Sequence, residues 1–237
     1  MKKIITLLCI VVLVQAQQKQ VYQLSLYHFT TTEQESALDN YLGKTLVPAL
    51  HKLGSNSIGI FKPVANDTAA DKKIYVLVPY KNWQEFYAFR SHLPNDQAPE
   101  YARLESTLLE AFRFAPQMTM PKLSGNKSDY IYELRSYESA TEKLYQNKVH
   151  MFNEGGEIPL FERLGFNAVF YADVISGSRM PNLMYMTSFN NMKSREDHWK
   201  TFVDDAEWKT LSSKPEYQHN VSKADIILMH STNYSDY

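Results

Sequence analysis

The sequence predicts an α+β fold that consists of two similarly built halves in one chain. Segments of the first half recur in the second half at a nearly constant spacing: Tyr22 lies 110 positions before Tyr132, and Pro48 lies 111 positions before Pro159. A proline inside a helix and a Leu-Gly pair at its end recur in register, which chance matching of apolar patterns seldom produces. The recurrence therefore predicts an internal duplication. The matched segments are 21–27 with 131–137, 47–54 with 158–165, and 74–76 with 184–186.

The first half, residues 21–120, is predicted to run strand, long helix, strand, strand, helix, strand. After a strand over 21–29, the threonines and the acid of residues 30–33 are typical of a helix N-terminus. Pro48 should kink or break this helix, and Gly54 is a natural stop. The other elements are predicted as strands over 58–62, 73–78 and 112–118, a helix around 83–89, and a further helix over 99–111.

Residues 121–128 are rich in turn formers and are predicted as the linker. The second half, residues 129–232, repeats the same order of elements, with its long helix broken near Gly155 and Gly156. This order is that of the ferredoxin-like unit, a four-stranded antiparallel sheet with helices on one face. The other face needs cover, so we expect the halves to pack sheet against sheet as a barrel within one chain. A further homodimer is left open.

The first 16 residues have the layout of a secretory signal peptide. A short basic start precedes an uncharged apolar run over 4–14, and Val14-Gln15-Ala16 resembles a cleavage site. The run is too short to span a bilayer stably. Cleavage near Ala16 would remove Cys9, the one cysteine of the chain, so the mature protein could form no disulfide and no thiolate metal site. The sequence therefore predicts export, to the periplasm or beyond the cell.

The charge of the chain is nearly balanced, with 25 basic and 26 acidic side chains. Removal of Lys2 and Lys3 with the signal peptide leaves 23 against 26, a net charge of −3. Such a surface attracts nucleic acid and anionic membranes only weakly. We therefore expect neither nucleic acid nor, after cleavage, a membrane as a partner, and look for a small-molecule ligand instead.

A family resemblance rests on a short set of residues in the second half. The run Tyr-Glu-Leu-Arg-Ser-Tyr at 132–137, Arg195 through Trp199 with Phe202, and the run 204–208 resemble a NIPSNAP domain of the dimeric α+β barrel superfamily. The resemblance covers about residues 130–211; in the first half Gln23 and Ser25 replace the acid and the arginine. It implies a fold and not a reaction, because NIPSNAP domains have no settled chemistry. Barrel relatives include small-molecule monooxygenases and haem-handling proteins, but no catalytic residue carries over from them.

Side chains alternate between the two faces of a strand, which separates the candidate site residues from the apolar set. We expect Tyr132 and Leu134 to meet the helices, and their polar neighbours to face the barrel interior. A buried glutamate and arginine should pair with each other or with a ligand, and an arginine suits a carboxylate. The alternative is a structural ion pair that fills the barrel. The candidate ligand-binding residues are Gln23, Tyr27, Glu133, Arg135, Tyr137 and His150.

No two histidines are spaced as a metal-ligand pair on a helix, so neither a metal nor another cofactor is predicted. His150 enters the candidate set because it lies close to the glycine pair that should break its helix. Trp199 and Phe202 are expected in the core, whereas Arg195 and Glu196 are expected in solvent.

The residues leave three functions open. The first is a binding module that holds a small polar or carboxylate-bearing molecule in the barrel, with Glu133 and Arg135 as anchors. The second is a scaffold whose barrel is filled and which acts through its surface. The third is a cofactor-free monooxygenase-like enzyme. Because no tight acid-base pair is evident, whether the protein is an enzyme stays undecided, and no catalytic residue is named.

Overall fold

A computed structural model describes residues 18–237, so the predicted signal peptide lies outside the described residues. Within them, the order strand, helix, strand, strand, helix, strand occurs twice. The strands are β1 (Val21–Phe29), β2 (Gly59–Pro63), β3 (Lys72–Tyr80), β4 (Arg103–Ala111), β5 (Ile131–Glu138), β6 (Phe170–Ser176), β7 (Asn182–Phe189) and β8 (Lys223–Ser231). The helices are α1 (Thr32–Tyr41), α2 (Val47–Lys52), α3 (Trp83–Arg90), α4 (Glu142–Phe152), α5 (Glu157–Arg163), α6 (Met192–Asp204) and α7 (Ala206–Ser212).

The helices begin where the sequence supplies a side-chain cap. Thr31 accepts a hydrogen bond from the backbone N–H of Gln34 at the start of α1, and Thr141 caps α4 in the same way. Asn82 caps α3, and Asn191 caps α6. The first helix of each half thus has a threonine cap and the later helix an asparagine cap, which satisfies backbone donors that a helix cannot use internally.

Both long helices are interrupted. In the first half a π-helical segment, Leu42–Leu46, joins α1 to α2, and Pro48 lies in the first turn of α2. The predicted stop at Gly54 is confirmed, because its backbone has a φ of 97°, which favours glycine. In the second half α4 ends at Phe152 and α5 starts only at Glu157, so the break predicted near the glycine pair is also confirmed.

The eight strands form one closed antiparallel barrel in the order β1-β3-β2-β8-β5-β7-β6-β4. The first strand of each half lies between two strands of its own half, β1 between β3 and β4, and β5 between β7 and β8. The halves join through hydrogen bonds between β2 and β8 and between β4 and β6. Closure leaves no unpaired strand edge in the barrel.

The barrel interior is a packed apolar core. Phe61 and Tyr132 lie with ring centroids 4.9 Å apart, and Tyr237 packs against both rings at 5.4 and 5.9 Å. Eight strands enclose a space that side chains can fill. A space of about 50 Å³ lies at one end, beside Glu105 and Arg179. The largest buried side chains inside are Tyr22, Leu24, Phe61, Tyr75, Leu77, Leu109, Tyr132, Leu134, Phe170, Met184, Met186, Met229 and Tyr237.

The expected facing of the first strands was wrong. Tyr132 and Leu134 point into the barrel, so the alternating residues Glu133, Arg135 and Tyr137 point to the helices. In the first half Tyr22 and Leu24 likewise lie inside, and Tyr27 packs under the helices. Alternation separates the two faces of a strand but does not say which face meets which layer when both are buried. The wholly apolar set fills the closed barrel, where polar groups would find no partners.

Two further expectations were wrong in the first half. Residues 103–111, expected in a helix, form β4, because pairing with β1 and β6 outweighs the helix preference of their leucine and glutamate side chains. The expected strand over 112–118 is irregular. The match of Tyr75 with Tyr185 is also shifted by one residue. Ser25 and Arg135 occupy corresponding positions on the first strands, but Ser25 pairs with Val76 whereas Arg135 pairs with Tyr185, so Val76 is the structural counterpart of Tyr185. A slip of one residue exchanges the two faces.

Tyr237 tests whether the filled barrel governs stability. Its side chain is 6% exposed and contacts Phe61 and Tyr132, so Tyr237→Ala should lower the free energy of unfolding by about 3–5 kcal/mol through loss of buried contacts and a new cavity. Urea denaturation measures the change. The matched control is Tyr87→Ala, since Tyr87 is 65% exposed and its loss should cost about 0.5 kcal/mol or less. Equal effects of the two substitutions would contradict the assignment of Tyr237 to the core.

Candidate functional site

A fully buried carboxylate lies at the centre of the helix-facing side of β5. Glu133 is 0% exposed and accepts hydrogen bonds from Arg135 Nε at 2.6 Å, Arg195 Nε at 2.7 Å and Trp199 Nε1 at 2.9 Å. Arg135 comes from the same strand face, and the other two donors lie one turn apart on α6. A buried charge is tolerated when it is paired and hydrogen-bonded in this way. The network therefore ties α6 to the outer surface of the barrel.

Arg135 connects this carboxylate to aromatic groups. Its guanidinium carbon lies 3.6 Å from the centroid of the Trp199 ring, a stacked cation-π arrangement. Its Nη1 donates to the Tyr137 hydroxyl at 2.8 Å, and that hydroxyl pairs with the Tyr185 hydroxyl at 2.9 Å. Burial raises the pKa of the Tyr185 hydroxyl well above its ordinary value, so the phenol stays protonated.

A second ion pair lies beside the first. Lys148 of α4 donates to Glu157 Oε2 of α5 at 2.8 Å, and both side chains are buried. The lysine ammonium lies 4.6 Å from the centroid of the Phe152 ring. Burial raises the pKa of the Glu157 carboxyl, while Lys148 opposes that shift. The gap between α4 and α5 places this pair where the two helices meet.

The charged residues Arg135, Lys148, Glu157 and Arg195 line a cavity of about 360 Å³ between the sheet and the helices of the second half, and Glu133 lies behind the two arginines. Arg135, Lys148 and Arg195 supply three positive charges, while Glu133 and Glu157 supply two negative ones, so the surroundings carry one excess positive charge. Among residues 18–237, Arg195 makes its side-chain hydrogen bond through Nε, which leaves both Nη atoms for a ligand. The aromatic part of the wall consists of Tyr137, Tyr185, Trp199, Phe202 and Trp208.

The structure divides the predicted site residues into three places. Glu133, Arg135 and Tyr137 come together as predicted, but on the helix side of the sheet and not inside the barrel. Gln23 and Tyr27 line a separate cavity of about 280 Å³ in the first half. The expected shared pocket between the halves was therefore wrong, because packed side chains fill the barrel that separates them.

His150 lies apart from both cavities. Its ring is exposed on α4, and Nδ1 lies 2.7 Å from the Tyr217 hydroxyl. It is not among the residues that line either cavity. Helical periodicity explains this position, since Lys148, two residues earlier, occupies the buried side of the same helix.

Sequence reasoning missed Arg195, Lys148 and Glu157. Arg195 was expected in solvent, yet its side chain is 21% exposed and pairs with Glu133. Its spacing of four residues from the apolar Trp199 was an available signal, since such positions share a helix face. Lys148 likewise falls in a stripe with Tyr145, Phe152 and other buried positions of α4. A charged residue within an apolar stripe indicates a buried partner.

Residues 18–237 contain neither a metal-binding cluster nor a membrane-spanning helix. No three histidine, cysteine, aspartate or glutamate side chains in this part of the chain are grouped to hold a metal ion. Over the same residues, no helix combines the length and the apolar character needed to cross a membrane.

Glu133 provides a test of the buried network. Glu133→Gln removes the negative charge between two guanidinium groups, and we expect the free energy of unfolding to fall by about 3 kcal/mol, as for other buried pairs that lose one partner. Urea denaturation measures it. Glu207→Gln is the control, because the Glu207–Arg163 pair is exposed and should be worth less than about 1 kcal/mol. A Glu133→Gln protein as stable as the control would show that the carboxylate is not needed to hold α6.

The second half of the chain is similar to a known protein family. Residues 132–236 match the NIPSNAP family model. No curated protein matches the chain. The cavity residues Arg135 to Trp208 all fall within the matched range.

Solved structures share the fold over nearly the whole chain. A proposed monooxygenase from Lactobacillus acidophilus NCFM is 10% identical with a TM-score of 0.63, and the match covers 90% of this chain and 94% of that one. A proposed monooxygenase from Fusobacterium nucleatum is 11% identical with a TM-score of 0.57, over 90% and 92%. An anthrone oxidase-like protein is 10% identical with a TM-score of 0.57, over 92% and 94%. At these identities the likeness is one of fold alone. Residues 132–236 thus match the NIPSNAP family model, and the chain has the fold of these α+β barrel proteins.

Proposed function

We propose that this protein binds a small organic carboxylate with an apolar body in the cavity of its NIPSNAP domain. The observation that carries the proposal is the excess cation around that cavity, where three positive side chains face two carboxylates. An uncompensated charge in a partly buried site is costly, and an anionic ligand would offset it. The binding site then lies outside the barrel, against its helix-covered surface.

The arginines define where the anionic group of the ligand would lie. Arg135 and Arg195 share Glu133 through their Nε atoms, so their Nε edges point away from the ligand. The Nη atoms of Arg195 remain for the ligand, and a planar guanidinium edge suits a carboxylate. The site therefore favours an anion over a neutral molecule of the same shape.

The aromatic wall defines the rest of the ligand. Trp199, Phe202 and Trp208 offer ring faces and edges for an apolar body. The volume of about 360 Å³ exceeds the roughly 150 Å³ that is enough to bind benzene in an engineered cavity. A single ring that carries a carboxylate fits these limits.

A cofactor-free oxygenation of such a ligand is the second candidate function. It is favoured by the names of the fold neighbours, two of them proposed monooxygenases and one an anthrone oxidase-like protein. Oxygen consumption with a panel of phenolic and quinol carboxylates, compared with Arg195→Gln, separates turnover from binding. A scaffold role fits the filled barrel but gives no reason for the charged cavity beside it.

We further propose that the two halves are tandem ferredoxin-like units that arose by duplication, and that the mature protein acts outside the cytoplasm. The duplication is supported by the neighbour order of strands, 4-1-3-2 counted within each half, and by the matching helix caps. Export is supported by the signal-like residues 1–16 of the sequence.

Benzoate and benzamide test the proposed ligand class, because they share a ring and differ in charge. Isothermal titration calorimetry should show benzoate binding at least about tenfold more tightly than benzamide, and Arg195→Gln should remove about tenfold of the benzoate affinity, as expected for loss of a charge-assisted hydrogen bond. Fluorescence of Trp199 and Trp208 should change on binding.

The matched control is Arg113→Gln, since Arg113 is 74% exposed and lies away from the cavity. It should leave benzoate binding unchanged. Equal affinity for the charged and neutral probes, or a benzoate affinity that Arg195→Gln does not alter, would contradict the proposal. Circular dichroism of each variant confirms that the fold is retained.

A further inference from the structure

The first half contains its own cavity, of about 280 Å³, between its strands and its helices. Gln23, Ser25 and Tyr27 line it from β1, and Leu46 and Leu50 line it from the helical side. The barrel core separates this cavity from the one in the second half. The two halves therefore have partly open cavities at related positions, and the ligand that each can hold depends on its own side chains.

The polar groups of this cavity differ in whether they have partners. Gln23 is satisfied, since its Nε2 donates to Ser106 Oγ at 2.9 Å and its Oε1 accepts from the Tyr80 hydroxyl at 3.3 Å. Tyr27 is only 6% exposed, and within residues 18–237 its hydroxyl has no hydrogen-bond partner. The Ser25 hydroxyl lacks a partner in the same residues. Neither hydroxyl is completely shielded from solvent, so both are open to the cavity and can form a hydrogen bond with a ligand there.

The helix above the cavity is irregular at the same place. Leu46, which lines the cavity, is the last residue of the π-helical segment Leu42–Leu46. Short π-helical segments are rare and are frequent at functional sites. The widened turn therefore coincides with the cavity wall, and it is an observation independent of the unpartnered hydroxyls.

The charge of this cavity differs from that of the second half. Gln23 and Ser25 occupy the positions on β1 that Glu133 and Arg135 occupy on β5, as their pairing with β3 and β7 shows. Its apolar lining includes Leu50, Val76, Val78 and Leu104, and Arg90 lies exposed at its rim. Arg90 is the charged residue of this lining, but it is exposed and its charge is screened by solvent, so it compensates an anion for lost hydration less than the buried charges of the second half would. The ligand of this cavity should be neutral.

We propose that the first-half cavity is a second binding site, selective for a neutral single-ring molecule that bears a carbonyl or hydroxyl oxygen. The oxygen accepts a hydrogen bond from the Tyr27 hydroxyl, and the Ser25 hydroxyl lies on the same strand face. The ring packs against the leucines and valines of the lining. The volume of about 280 Å³ is sufficient, because roughly 150 Å³ accommodates benzene. One chain then binds two ligands of different charge.

Acetophenone and toluene are the probes, since they differ in one carbonyl group. Ligand-observed NMR titration should show acetophenone binding about tenfold more tightly than toluene, and Tyr27→Phe should abolish that difference by weakening acetophenone alone, as for loss of one hydrogen bond. Tyr87→Phe, at an exposed tyrosine, is the matched control and should change neither affinity. Ser25→Leu should fill the cavity and remove binding of both probes, with the fold checked by circular dichroism.

The test is independent of the carboxylate proposal. Arg195→Gln should leave acetophenone affinity unchanged, and Ser25→Leu should leave benzoate affinity unchanged. Acetophenone binding that survives Ser25→Leu, a Tyr27→Phe protein that still prefers acetophenone, or absence of binding by either probe up to millimolar concentration would overturn the inference.

Discussion

Closure of the eight-stranded barrel around an apolar interior is the constraint on which the rest of this structure depends. Every strand pairs on both sides, so the two halves share one hydrogen-bonded surface and neither has a sheet edge of its own. The interior is narrow enough for rings such as Phe61, Tyr132 and Tyr237 to fill it. Side chains alternate along each strand, so when one set of side chains fills the barrel interior, the alternate set must face the helices. Gln23, Ser25, Glu133 and Arg135 therefore all lie on the helix side of the sheet.

In the second half, the strand face that meets the helices carries charged side chains and forms a charged site. Glu133 and Arg135 leave the barrel side together and meet Arg195 and Trp199 of α6. The carboxylate is satisfied within the protein, whereas the guanidinium edges that remain face the cavity. The ion pair is thus both the attachment of a helix to the sheet and the source of the excess positive charge. Its structural role and its proposed binding role use different atoms of the same side chains.

In the first half, the corresponding face of β1 carries uncharged side chains. Gln23 and Ser25 stand at the corresponding positions, and no ion pair forms there. The helix cover is held by apolar contacts such as Leu38, Leu42 and Leu50. The two cavities thus differ in charge because charged side chains of β5, α4, α5 and α6 surround the second one, while β1 and β5 position their side chains alike.

The order of elements, the helix caps and the breaks at Pro48 and Gly155 could be read from the sequence, because local backbone chemistry sets them. So could the pairing of Glu133 with Arg135, since neighbours two apart on a strand share a face. Whether that face points into the barrel or toward the helices could not be predicted. Both faces of β5 are buried, and the alternation of side chains does not distinguish one buried layer from the other. The strand β4 could not be predicted either, because its pairing with β1 and β6 joins segments that are distant in the sequence. The role of Arg195 could not be predicted, because it depends on where α6 lies across the sheet. The sequence by itself determined which residues lie together on each element, and only the closed barrel decided which layer each face meets.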